Sequence, residues 1–403
     1  MMKYSLSGLP RAKRDRDEMK LFEYQAKEIF KRAGIPVPRS IRIIRPENYP
    51  SGEGEINRQV TSAGEELGLP LVIKSQVLMG GRGKAGLIPF IREAGQLVPA
   101  IHRLFSHEIP VPSVLAESAV SIDREIYLAI TADPPSGRAL ILASAEGGVE
   151  IEELAVRRPE AIARVMVDIE RGIMPFQIRF LIKALGLENQ GASDFKAVIQ
   201  KLWKVFTGMD CELAEINPLF LTREGNLIAG DGKISIDDNS LGRHPDYRAG
   251  RDYYESDAAY EAAEDGIPYL QFEGDISLMC AGAGLTTTVY DLVIDAGGSV
   301  ANYLEFGGPN YMKARRAMEL CLKNKSSVIL MVTFGTIARA DVMAEGIVSA
   351  IRELKPDRPI VTCIRGTNEE AAVKILEEAG LEAIFDTEVA VRRAVELSAG
   401  ASS

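Results

Sequence analysis

The sequence predicts an α/β protein in two parts, an α+β first half built on hairpins and then a doubly wound, parallel sheet. Three observations carry this. Apolar stretches of strand length near 275–281, 300–306, 328–334, 359–364 and 382–385 alternate with helical stretches beginning near 285, 311, 339, 368 and 388, the pattern of βα units on a parallel sheet. The first half instead folds short apolar runs around turn residues, as at Pro134-Pro135-Ser136-Gly137 and Arg223-Glu224-Gly225, which is hairpin chemistry. Finally, 403 residues exceed one ordinary core,. The expected domains are 19–260 and 268–403. Residues 1–18 mix Lys13, Arg14 and Arg16 with Asp15, Asp17 and Glu18 and lack a signal peptide's apolar stretch, so they read as a disordered extension ahead of the first pattern.

The elements follow in order. Leu21 to Ala33 repeats at helical spacing, and Gly34, Pro36 and Pro38 stop it,. A polar turn-rich stretch, 46–57, leads to a helix over 58–68 and a strand over 71–77; after the glycines of 80–86, Leu87 to Ile91 look extended, giving strand, loop, strand,. Strands are expected at 114–117, 125–131 and 139–143, helices at about 157–171, 176–186 and 194–208, then strands at 211–222 and 226–236,. An acidic, tyrosine-containing helical stretch, 251–265, precedes the βα units.

Composition narrows the function. Apolar residues make up 46% and charged residues 26%, as in a soluble globular protein. No apolar run approaches the ~20 residues of a membrane span. With 47 basic against 57 acidic residues the net charge is −10, which argues against nucleic-acid binding and makes a locally basic cluster informative. Four dispersed cysteines, Cys211, Cys280, Cys321 and Cys363, show no metal-ligand spacing and suit a reducing cytoplasm.

Gly81-Arg82-Gly83-Lys84-Ala85-Gly86 satisfies G-x-G-x-x-G, yet a dinucleotide site needs a helix next. It also lacks the Ser or Thr after lysine of a P-loop. A glycine hairpin whose amides approach phosphates remains, with Lys74, Arg82 and Lys84 adding charge; a solvated surface turn is the alternative. Further on, Glu215 and Asn217 share a strand face opposite Asp231, and a carboxylate with an amide oxygen is a partial magnesium site; the alternative is a solvated sheet face. Glu117 and Glu125 lie near strand ends, where a carboxylate can meet ribose. Turns at Gly282-Ala283-Gly284 and Gly335-Thr336-Ile337 each precede a helix, and helix amides there can hold an anion. The three histidines, His102, His107 and His244, lie outside such turns.

Taken together, LFEYQAKEIFKRAGIPVP (21–38), GGRGKAG (80–86), ASAEGGVEIEE (143–153), AEINPLFLT (214–222), DGKISIDDNSLGRHPD (231–246), AGAGL (281–285) and FGTIARADVMAEGI (334–347) resemble the beta subunits of succinyl-CoA synthetases over about 20–400. The resemblance implies an ATP-grasp fold of two subdomains followed by a flavodoxin-like CoA-ligase domain. It implies that Lys74, Gly81, Arg82, Gly83, Glu117, Val120 and Glu125 bind ATP, that Asn217 and Asp231 hold Mg2+, and that Glu215 assists phosphoryl transfer. It places Ala281, Gly335, Thr336 and Ile337 at the acid substrate. The implied partners are CoA, a dicarboxylate and an alpha subunit carrying the phosphorylated histidine, in a heterodimer or heterotetramer, with the tricarboxylic acid cycle as setting.

There are departures. Leu78-Met79 stands for the usual His-Ala, Ala281 for an asparagine and Thr336 for a glycine. Losing an asparagine hydrogen bond to a carboxylate costs ~1.5–3 kcal/mol, which opens malate or another dicarboxylate beside succinate. A nucleotide-binding regulatory subunit, or a nicotinamide dehydrogenase, are the readings from other classes.

Overall fold

A computed structural model of the chain describes residues 18–401 apart from 52, 248–249, 255, 308–312 and 336–338. The chain divides into two compact units, one up to residue 248 and one from 249. In the first, β1 (Glu18–Lys20), α1 (Glu23–Arg32), β2 (Ser40–Ile44), α2 (Glu53–Leu67), β3 (Leu71–Ser75), β4 (Phe90–Ile91), α3 (Ala94–Phe105) and β5 (Ser113–Ser118) come before the crossing to a second sheet. Strands β2-β5-β3-β4 pair in that order. Side chains alternate along each strand, so Ile43, Leu71, Ile73, Val114 and Ala116 bury one face under α2 and α3. The register of Arg42 with Leu115 and Leu115 with Lys74 sets Arg42 and Lys74 on the opposite face.

The second sheet comprises β1, β6 (Ile122–Asp133), β7 (Arg138–Ser144), β8 (Ala163–Val167), β9 (Cys211–Thr222), β10 (Leu227–Ala229) and β11 (Lys233–Asp237), with the order β1-β11-β9-β6-β7-β8 and β10 beside β9. Between them run α4 (Ile151–Arg157), α5 (Pro175–Ala184) and α6 (Asn189–Gly208). The glycine segment is the hairpin expected from sequence. Leu87 and Pro89 carbonyls accept from Ser75 and Ile73 at 3.1 and 3.0 Å, although only Phe90 and Ile91 form a regular strand.

Two expectations for this unit need correction. The helix expected over 157–171 is broken up: α4 ends at Arg157, a single 3-10 turn covers Pro159–Ala161, and Ala163–Val167 form β8, an edge strand on β7. Val165 and Val167 turn inward while Arg164 faces out, and ladder pairing overrides local propensity. The strand expected over 226–236 is two strands, because β10 ends at Ala229 and β11 begins at Lys233.

The second unit holds α7 (Asp257–Glu264), β12 (Tyr269–Gln271), β13 (Ile276–Ala281), α8 (Ala283–Asp295), β14 (Val300–Leu304), α9 (Ala314–Leu322), β15 (Val328–Gly335), α10 (Ala340–Leu354), β16 (Ile360–Gly366), α11 (Glu369–Glu378) and α12 (Thr387–Ala401). The sheet order is β12-β14-β13-β15-β16, parallel except for β12. One face buries Met279, Ile329 and Met331 under α9 and α10; the other buries Leu278, Leu330 and Cys363 with α8 and α12. The fold is doubly wound as expected, with two differences. The fifth expected strand shrinks to one bridge from Ala383 to Thr362, being too short between Gly380 and α12 for a ladder. An antiparallel edge strand, β12, is added.

Candidate active site

Six buried or half-buried charges meet in the first unit. Glu23 and Lys27 come from successive turns of α1, Lys74 from β3, Arg82 from the glycine hairpin, Glu117 from β5 and Asp231 from the break between β10 and β11. Glu23 lies 2.9 Å from Lys27, 2.8 Å from Lys74 and 2.7 Å from Arg82. Glu117 reaches Lys27 at 2.5 Å and Lys74 at 3.0 Å, and Arg82 Nη2 donates to Asp231 Oδ2 at 2.6 Å. Three cations thus face three carboxylates, the balance that buried charge requires. Burial alone would raise the Glu23 carboxyl, but Lys27, Lys74 and Arg82 hold it well below the usual carboxylate range. Lys74 stays an ammonium: burial works to lower it, and Glu23, Glu117 and Asp231 more than offset that.

The break at Gly230–Gly232 is part of this site. Gly230 and Asp231 amides both turn to the Pro218 carbonyl, at 2.9 and 3.4 Å. The Gly230 carbonyl is thereby released from the ladder and accepts from Lys27 Nζ at 2.7 Å and Lys74 Nζ at 2.5 Å. A Cβ on Gly230 would stand 2.3 Å from the Phe220 ring, so only glycine lets the chain turn there. Gly81 needs its glycine for φ +70°,. Gly83 is exposed, and Lys84 reaches out to Glu153 at 3.8 Å with most of its side chain in solvent.

The remaining candidates of the first unit line the crossing between its sheets. Val120 lies in the short connection from β5, which carries Glu117, to β6, which carries Glu125. The loop of 146–149 lies over β6, where the Gly147 amide donates to the Glu125 carbonyl at 2.9 Å. Asn217 holds the same loop, accepting from the Gly148 amide at 2.8 Å and donating to the Val149 carbonyl at 3.1 Å. Glu125 and Asn217 therefore meet across Gly148. Glu215 accepts from the Tyr127 hydroxyl at 3.1 Å, and burial raises its carboxyl against the opposing pull of Lys233.

The donor set suits magnesium. Asn217 offers an amide oxygen with a second lone pair, and Asp231 is a carboxylate with about a quarter of its side chain accessible; its Oδ1 already accepts from the Gly232 amide at 2.7 Å. Among the described residues no cluster of three His, Cys, Asp or Glu could hold a metal. Two protein oxygens completed by phosphates and water is how Mg2+ is held beside nucleotides.

In the second unit, Ala281 ends β13 beside Thr333 of β15, and Gly335 ends β15 beside Gly366 of β16. A Cβ on Gly366 would fall 2.0 Å from the Gly335 carbonyl oxygen, so this pair is close-packed. Thr336 and Ile337 lie outside the described residues. The turn before α8 already holds an anion of its own: Glu305 Oε1 accepts from the Gly282 amide at 3.1 Å and the Gly307 amide at 2.8 Å.

Sequence reasoning missed Glu23 and Lys27. A signal was present: both fall, with Ala26 and Phe30, in the apolar stripe of α1, where a charge needs a buried partner. All three histidines have local partners instead. His102 bridges Tyr49 and Asn57 at 2.9 and 2.8 Å, His107 accepts from the Ile109 amide, and His244 pairs with Asp210 at 2.8 Å.

Residues 20–221 match the ATP-grasp domain family and residues 279–397 the CoA-ligase family. An ADP-forming sulfoacetate-CoA ligase subunit of Bilophila wadsworthia is 54% identical over 382 residues, covering 95% of this chain and 100% of its own. A second, from Acholeplasma sp., is also 54% identical and is covered over 92% of its length. The ADP-forming succinate–CoA ligase beta subunit of Ignicoccus hospitalis is 40% identical over 388 residues, covering 95% of this chain and 100% of its own. Among solved structures, ATP citrate lyase from Methanothrix soehngenii, in complex with citrate and coenzyme A, shares the fold with TM-score 0.71 at 19% identity, over 94% of this chain and 100% of that one.

Proposed function

We propose, on the premise that the chain belongs to the ADP-forming acid–CoA ligases as their ATP-grasp, beta-type subunit, that the acid it activates is sulfoacetate rather than succinate. One observation carries this choice: two sulfoacetate-CoA ligase subunits match at 54% identity end to end, whereas the succinate–CoA ligase beta subunits match at 36–40%. Ala281 supports it, because a methyl group offers no hydrogen bond to the carboxylate of a dicarboxylic acid.

The chain's own residues account for the nucleotide half of the reaction. Lys74 and Arg82, fixed by Glu23 and Glu117, present positive charge to the phosphates, and the glycine hairpin leaves its amides free of side chains. Glu117, expected from sequence to meet ribose, is instead buried on Lys27 and Lys74 and acts through Lys74; Val120 and Glu125 follow the sheet crossing, where base and ribose bind. Asn217 and Asp231 would hold Mg2+, which when bound neutralises phosphate oxygens. Glu215, held by the Tyr127 hydroxyl, is the residue assigned to assist phosphoryl transfer. The histidine that receives the phosphoryl group belongs to a partner alpha subunit, since the three here are engaged elsewhere. The phosphoryl group then passes to the acid as an acyl phosphate, and the CoA thiol displaces phosphate to form the thioester. The assembly is a cytoplasmic heteromer of the two subunits.

The test is acid-dependent ADP release by the chain reconstituted with its cognate alpha subunit, ATP, Mg2+ and CoA. Sulfoacetate should exceed succinate and malate in kcat/KM by about tenfold or more, the discrimination of one hydrogen bond to a charged group. A higher kcat/KM for succinate overturns the choice of acid and leaves the ligase class standing.

A further inference from the structure

Among the described residues of the second unit, one buried side-chain oxygen lacks a partner, and it lies near the carboxyl ends of the parallel strands. Thr333 is fully buried, and its Oγ1 has no hydrogen-bond partner among the described residues. Such orphans are rare and call for an explanation. It is paired in register with Ala281, and neighbours in a ladder project to one face. That face is shared with Met279, Ile329 and Met331.

The location is not an arbitrary part of the sheet. From β13 the order runs to β14 on one side and to β15 on the other, so the carboxyl ends of β13 and β15 flank the point where the winding reverses. Open α/β sheets bind their ligands outside the strand ends at such a point. Ala281 and Thr333 are close to those ends. Ala281 is partly exposed and contributes only a methyl group, while the next amide, that of Gly282, is occupied by Glu305.

We propose that Thr333 is a specificity-determining residue, its hydroxyl donating to the anionic head of the acid in place of any donor from position 281. A threonine hydroxyl reaches this task by a turn about χ1, within its ordinary rotamers, and the bond satisfies the orphan only when acid is bound. The sulfonate of sulfoacetate, with oxygens spread in three directions, accepts from a short donor on the sheet floor. This assignment rests on the acid proposed above.

The test uses the chain in complex with its alpha subunit. The acid is first fixed by comparing sulfoacetate, succinate and malate, and the variants are then assayed on whichever turns over, so a wrong acid and a wrong residue give different results. Thr333→Val should raise the KM for the acid about ten- to hundredfold. It should leave the KM for ATP and CoA, and acid-independent phosphorylation of the alpha subunit, within about twofold. Thr333→Ser should keep the acid KM near that of the parent. Thr333→Val should also melt no lower than the parent, because removing a buried unpartnered hydroxyl costs no hydrogen bond. An unchanged acid KM in Thr333→Val overturns the proposal. So does a lowered melting temperature with equal losses for acid, ATP and CoA, which marks a packing role.

Discussion

Glu23 ties α1 to β3 and to the glycine hairpin. Its carboxylate is the shared partner of Lys27, Lys74 and Arg82, so neutralising it leaves three buried cations to two carboxylates. Glu23→Gln should destabilise the chain by about 3–5 kcal/mol, the cost of breaking a buried pair from one side, as read by urea denaturation. The pH dependence follows from the same pairing. Since the folded carboxyl is held below its ordinary value of about 4.5, its contribution is complete above that value and is lost as pH falls through the folded one. The denaturation midpoint should therefore decline between pH 5 and pH 3 by more in the parent than in Glu23→Gln. Lys74, Arg82 and Asp231 were legible because glycines and strand ends surround them. Glu23 and Lys27 were missed because a glutamate and a lysine four apart on a helix resemble a solvent-facing pair, and only their place in the apolar stripe beside Ala26 and Phe30 argued otherwise.

Among the elements, the hairpins and βα units were readable because their turns carry glycine and proline and their apolar periods are distinct. The exceptions share a cause. Strand β8 and the interruption at Gly230–Gly232 are set by partners distant in sequence, β7 in one case and Pro218 with Phe220 in the other. The loop of 146–149 gives a direct check. Gly148 has φ +72°, and a Cβ there would sit 2.1 Å from Glu125 Oε2. Gly137 has φ +64° with open space around it. Both substitutions to alanine incur the left-handed penalty of ~1–2 kcal/mol, but Gly148→Ala should also weaken nucleotide binding by displacing Glu125 and Asn217. Calorimetric titration with ATP and Mg2+ on the two variants should show that loss in one and parental affinity in the other.

For the whole molecule, two expectations concern what the chain does without help. All four cysteines are buried and free, and burial pushes Cys211, Cys280 and Cys321 up to about 12. The native chain should resist a disulfide reagent at pH 8 and release its four thiols only on denaturation. Each thiol favours the fold fully below an unfolded value near 9 and loses that contribution as pH rises toward 12, so alkali should lower the melting temperature. The chain alone should form no acyl-CoA from ATP, CoA and any acid. Thioester production by the pure chain would contradict the proposal that a partner supplies the histidine.

The carbonyl at Gly230 ties two binding events together. Two ammonium groups grip it, and the very next residue, Asp231, carries the carboxylate we propose for the divalent ion. A shift of that peptide toward an incoming ion is felt at Lys27 and Lys74, and a phosphate drawing Lys74 away is felt at Asp231. Ion and nucleotide therefore enter as coupled guests: each should tighten the other by the same factor, whichever arrives first.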